Sequence, residues 1–110
     1  MIVLLGLSLY FNIDHDNELE KYGRYTVGKT IKYTLSFKNG RQVQYEIKVN
    51  GKNYKSSSDY LYDATVPNGR YLVKFSTRDP EINEIYLDRP VSWDIDPPAD
   101  GWTKKQLTKR

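Results

Sequence analysis

Between Lys29 and Val49 the chain alternates apolar and polar residues with period two, broken once by Lys38-Asn39-Gly40 and followed by Asn50-Gly51. Period two with asparagine-glycine turns is the pattern of antiparallel strands that each bury one face, and loop length decides which faces meet. A two-residue loop at Asn39-Gly40 sets Phe37 against Gln42 and opposes every apolar row with a polar one. A three-residue loop, Lys38-Asn39-Gly40 with Gly40 in the left-handed region, instead pairs Leu35 with Val43, Tyr33 with Tyr45 and Ile31 with Ile47. At Asn50-Gly51 the same test favours a two-residue type I′ turn, which places Tyr54 opposite Ile47. Two similar dipeptides therefore predict turns of different length. On the outer face this register places Glu46 between Lys32 and Lys55.

Further along, Ser56-Ser57-Ser58-Asp59 interrupts the pattern, and residues 60–66 read as a bend or crossover. Pro67-Asn68-Gly69 is a turn, Arg70–Ser76 a strand with Tyr71, Val73 and Phe75 inward, and Asn83–Asp88 a last strand with Ile85 and Leu87 as its core pair. Beyond Pro90 the stretch PVSWDIDPPADGW holds too much proline for a helix or a ladder strand, and reads as an extended arm anchored by Trp93 or Trp102. The fold class is all-β: a small antiparallel meander of five to six strands forming a sandwich or partly open barrel, with an N-terminal apolar segment read as helical and a Pro-rich C-terminal arm. A helical turn is expected at residues 17–22. The 110 residues suffice for one domain, here 24–90, preceded by an apolar anchor-like segment at 1–13 and an acidic linker at 14–23, and followed by the arm and basic tail at 91–110.

The formal charge of +3 is a property of the tail: seventeen basic residues less Lys104, Lys105, Lys109 and Arg110 leave thirteen against fourteen acidic. Residues 21–74 nonetheless hold eleven Lys or Arg against Glu46, Asp59 and Asp63. Lys32, Lys48 and Lys55 fall on the outer face and, with Trp93 and Trp102, are the candidate binding residues. A small β fold with a basic face can track phosphates, but the tyrosines at 33, 45, 54 and 71 fall on the opposite face, which weakens base stacking.

Chemistry finds little to work with. The absence of cysteine excludes disulfides, thiolate metal sites and a cysteine nucleophile. His15, the only histidine, stands in the acidic run Asp14 to Glu20, which departs from a calcium loop with Leu19 at the glycine position and Tyr25 at the bidentate acid. That run reads as a solvated linker. Ser56-Ser57-Ser58 lacks a nucleophile-elbow frame, and no glycine-rich phosphate loop is present. No catalytic residue, metal site or cofactor is implied.

The phrases YGRYTVGKT at 22–30, YEIKVNGKNYKSSSDY at 45–60, VPNGRYLVKFSTRDPEINEIYLDRPV at 66–91 and PPADGW at 97–102, taken in order, resemble short bacterial proteins of unknown function that carry an N-terminal hydrophobic helix and a small extracytoplasmic β domain. The resemblance implies a tethered domain and brings no catalytic or ligand residues. The opening MIVLLGLSLYF is too short to span a bilayer, which takes about 20 apolar residues, and no Lys or Arg precedes Lys21 as in a signal peptide. It reads as a buried strand or as the end of an anchor begun elsewhere, with the acidic stretch after it fitting an outward-facing junction. The expectation is a membrane-associated, extracytoplasmic module, or otherwise a soluble cytoplasmic one, whose partner is a protein or the membrane surface. The alternatives are a nucleic-acid or anionic-surface binder and a small inhibitor or immunity protein. Self-association is left open.

Overall fold

The computed structural model describes residues 17–38 and 40–108. The apolar segment 1–13, the first acids of the linker with His15, and the basic pair Lys109 and Arg110 lie outside the described residues. A short helix α1 (residues 17–22) leads into β1 (Gly23–Ser36), β2 (Gly40–Val49), β3 (Lys52–Asp59), β4 (Arg70–Ser76) and β5 (Asn83–Pro90), and a last helical turn, α2, covers Lys104–Thr108. Among the described residues the five strands form one antiparallel sheet in the order β3-β2-β1-β4-β5, without closure into a barrel or division into a sandwich.

β1 holds the sheet together because it is long enough to serve two partners. Residues 23–29 pair with β4 and residues 29–36 with β2. Among the described residues the β4–β5 half ends near Lys29, so the β1–β2 hairpin continues beyond it with no strand on the β4 side. The molecule is correspondingly long, 49 × 32 × 24 Å.

The turn lengths follow the alternation in part. Asn50 and Gly51 have φ of 52° and 84°, and Ile47 opposes Tyr54, as the type I′ reading requires. At the first hairpin the loop is three residues and Gly40 has φ 69°, but the pairing is displaced: Ser36 opposes Gly40, Leu35 opposes Arg41 and Tyr33 opposes Val43. A bulge between Thr30 and Lys32 then changes the parity of β1, so that Thr30, not Ile31 or Tyr33, faces Tyr45. Ile31 turns to the outer face, and Glu46 lies between Lys29 and Lys55 instead of Lys32 and Lys55.

The reason for the bulge lies in the core. Tyr45, Ile47, Val49, Tyr71, Val73, Phe75, Ile85 and Leu87 form it, and β1 contributes only small residues, Thr26, Gly28 and Thr30. A Cβ on Gly28 would stand 2.6 Å from Val73 Cγ2 and 3.4 Å from the Tyr45 ring. Glycine at that position therefore lets Val73 pack directly onto the β1 backbone, with the Tyr45 ring beside it and the Tyr45 hydroxyl donating to Asn83 Oδ1 at the start of β5. Burial pushes the Tyr45 phenol up to about 12.

Residues 60–69 carry the chain from β3 over the inner face to β4. Ala64 is buried there, and Thr65 N–H donates to Tyr71 Oη at 2.7 Å. Beyond β5, Arg70 donates to the carbonyls of Ser92 and Ile95, both at 2.6 Å. The chain then returns to β1: Asn50 N–H donates to Ala99 O, and Tyr25 and Trp102 exchange a pair of backbone hydrogen bonds of 2.8 and 2.7 Å. Trp102 thus lies where β2 has left β1, and its ring is buried.

The acidic linker is partly structural. Glu18 and Leu19 are buried, contrary to a solvated run. Glu18 accepts from Ser76 Oγ at 2.7 Å and from Arg78 Nη2 at 2.5 Å, while Arg78 also lies over the Tyr22 ring. The Ser76 hydroxyl first, and then the Arg78 guanidinium, hold the Glu18 carboxyl below its ordinary value of 4.5. A depressed folded-state value stabilises the protein above pH ~4.5 and is lost as pH falls through the folded value. Glu18→Gln is therefore expected to lower Tm at pH 7, with the deficit shrinking as thermal melts are repeated below pH ~4.5. A deficit that stays constant or widens toward acid would show that the carboxylate charge contributes nothing.

Candidate binding surface

The bulge at Ile31 returns the odd-numbered residues of β1 to the inner face just where β4 and β5 no longer lie alongside. Tyr33, Leu35 and Phe37 therefore continue the core face past the end of the core. Leu35 is 82% exposed and Phe37 fully so, with Tyr33 43% exposed. The start of the crossover supplies partial cover: Tyr60 N–H donates to Arg41 O, and its ring meets that of Tyr33 edge-on at 5.3 Å. The Arg41 guanidinium lies 5.3 Å from both ring centroids. Leu61 and Tyr62, the next two residues, are also exposed. Burial, followed by the neighbouring Tyr33 phenol, raises Tyr60 above its ordinary value against the opposing pull of Arg41.

This end of the molecule has the composition of a contact surface. A contiguous set of exposed tyrosine, leucine and phenylalanine side chains around a stacked arginine leaves apolar area in water, and arginine and tyrosine dominate binding energetics where such surfaces are covered. The two tyrosines hold Arg41 in one arrangement, which lowers the entropy that any contact through it would cost.

The five binding residues expected from the sequence do not converge here. Lys32, Lys48 and Lys55 are exposed on the outer face opposite Gln44, Asn53 and Glu46 respectively. Trp93 is 84% exposed on the segment after β5, whereas burial of Trp102 against β1 withdraws its ring from any surface contact. An outer-face groove of about 740 Å³ between the sheet and residues 96–99 is lined by Lys29, Lys48 and Arg70 but equally by Glu46 and Asp96. Its mixed charge selects no ion sign. No group of three or more His, Asp or Glu converges among the described residues.

Leu35, Phe37, Arg41 and Tyr60 were not singled out by sequence reasoning. Phe37 carried a signal: an apolar residue directly before Lys38-Asn39-Gly40 sits at a strand tip, where a single sheet has nothing to lay over it. No protein-family model matches the chain, and neither the curated proteins nor the solved structures contain a match.

Proposed function

We propose that this chain is a membrane-proximal or envelope-associated β domain that acts as a non-catalytic binding or accessory module, engaging a protein partner through the aromatic end of the β1–β2 hairpin. The observation that carries the reading is the exposure of Leu35 and Phe37 beside the Tyr33–Arg41–Tyr60 stack. Membrane proximity draws on the apolar run MIVLLGLSLYF ahead of α1. That end of the chain enters the sheet at Gly23, and the aromatic end lies at the far end of the 14-residue β1, ~45 Å away at ~3.3 Å per residue. A tether at the start would therefore hold the aromatic surface outward. Among the described residues no helix is long and apolar enough to cross a membrane. The nucleic-acid reading draws less support, because Lys32, Lys48 and Lys55 lie across the sheet from Tyr33, Tyr45, Tyr54 and Tyr71, and Tyr25, which does share the outer face, has Lys74 over its ring instead of any of these three.

A photo-crosslinking amino acid at position 37, in the full chain expressed in its native host, is expected to trap a discrete protein adduct. The same group at position 48 should trap none. Adding Arg41→Ala and Tyr60→Ala should weaken the adduct by about tenfold, as for loss of a hot spot. Equal labelling from positions 37 and 48 would sink the proposal, as would adducts indifferent to the two substitutions.

A further inference from the structure

Among the described residues β3 is an edge strand, and its free side is unusually plain. Val49 and Lys52 close a two-residue turn as a hydrogen-bonded pair, so residues 52, 54, 56 and 58 direct their backbone groups to β2, continued by Tyr60 N–H to Arg41 O. Residues 53, 55, 57 and 59 direct theirs away from the sheet. The ladder to β2 runs without a bulge, and β3 contains no proline. At the opposite edge, the ladder holding β5 shifts register between Tyr71 and Leu72, and β5 ends in proline. Bulges and proline blunt an edge against pairing with another chain, and β3 has neither.

The sequence of this edge is self-complementary. Tyr54-Lys55-Ser56-Ser57-Ser58-Asp59-Tyr60 reads the same from either end about Ser57, except that the charges at the symmetric positions are opposite. We propose that two copies of this chain pair β3 to β3, antiparallel, on a two-fold axis at Ser57. In that register Ser57 opposes Ser57 of the second copy, and Lys55 opposes Asp59 of the second copy twice over. On the inner face Ser56 meets Ser58, and Tyr54 meets Tyr60. The outward backbone groups of 55, 57 and 59 form the bonded pairs, the geometry an isologous β interface requires. Neighbouring registers are worse: an axis at Lys55 sets lysine directly on lysine, and one at Ser56 leaves the two Lys55 side chains diagonal to each other. Asp59 already accepts from Gln42 Nε2 through Oδ1, leaving Oδ2 for the lysine. Lys55 would then stand between Glu46 of its own sheet and Asp59 of the second copy, extending the alternating row Lys29, Glu46, Lys55 across the seam.

An edge-only contact is smaller than the standard interface, so a dissociation constant between about 10 μM and about 1 mM is expected. Sedimentation velocity from a few μM to about 1 mM should show monomer giving way to dimer. Ser57→Pro removes an N–H that points away from β2, leaving the native fold by circular dichroism but a monomer at every concentration. Lys55→Asp and Asp59→Lys should each be monomeric, while their equimolar mixture should dimerise about tenfold or more tightly than either alone, because both seam pairs become opposite again. Ser57→Cys, in a chain with no other cysteine, should form a disulfide-linked dimer on mild oxidation, whereas Asn53→Cys should not. Wild type monomeric throughout the range would overturn the proposal, as would a dimer untouched by Ser57→Pro or a charge-swapped mixture that does not associate.

Discussion

Replacing Thr30 by valine is expected to destabilise the protein by about 2–4 kcal/mol, although the two side chains have almost the same shape. Thr30 is buried in β1 beside the bulge, and its hydroxyl is used twice: it donates to Thr65 O at 2.7 Å and accepts from Gly69 N–H at 2.8 Å. The Thr30 backbone also donates to Gly69 O and accepts from Asn68 N–H. These bonds tie the crossover to the middle of the sheet, and the one from Gly69 N–H to the Thr30 hydroxyl is buried. Valine leaves the buried Gly69 N–H without an acceptor, at about 1–3 kcal/mol, and takes from the carbonyl of the exposed Thr65 a hydrogen bond worth about 0.5–1.5 kcal/mol. Thr30→Ser retains the hydroxyl and loses one methyl, so it should cost only about 1 kcal/mol. Urea denaturation of the three proteins separates the outcomes. If valine cost no more than serine, the hydroxyl bridge would not be what holds residues 60–69 in place.

Thr30 also shows what the sequence conceals. A threonine in a run of lysine and threonine looks like an outer-face residue, and only its contacts with Thr65 and Gly69, more than thirty residues away in the chain, make burial tolerable. The bulge follows from the same requirement, since it brings Thr30 inward without moving Val43 and Tyr45 from their row. The β2–β3 hairpin was legible because its turn chemistry and both apolar rows are local, and β4 and β5 were legible for the same reason. The burial of Glu18 was not, because a carboxylate becomes a core group only when Ser76 and Arg78 arrive from the far end of β4. For the binding surface the residue types were in view, but alternation assigns Leu35 and Phe37 to the core. Only the reach of β4 and β5 along β1 shows that the core stops before them.

The two tryptophans should respond to substitution in opposite ways. Trp93 is exposed, and Trp93→Ala is expected to change stability by less than about 0.5 kcal/mol. Trp102 fills the place beside Tyr25 where β2 has parted from β1, and Trp102→Ala is expected to cost about 3–5 kcal/mol, the range for a buried aromatic replaced by alanine. The manner of the loss matters as much as its size. Residues 99–102 are held by Asn50 N–H to Ala99 O, the two Tyr25–Trp102 bonds and the Arg24–Asp100 ion pair at 2.9 Å. That ion pair is exposed and weak, so once the indole is gone the three backbone bonds are the main restraint left on the segment. Local opening should precede global unfolding. The amides of Tyr25 and Asn50 should therefore exchange with solvent faster in Trp102→Ala at concentrations of urea where those of Val73 and Ile47, inside the ladders, remain protected. Unchanged exchange at Tyr25 together with a small loss of stability would mean that the backbone bridge, and not the indole, fixes this segment to β1. Uniform acceleration at all four amides would mean that the segment and the sheet unfold as one unit, and that the gap left by β2 must be filled for the sheet to exist.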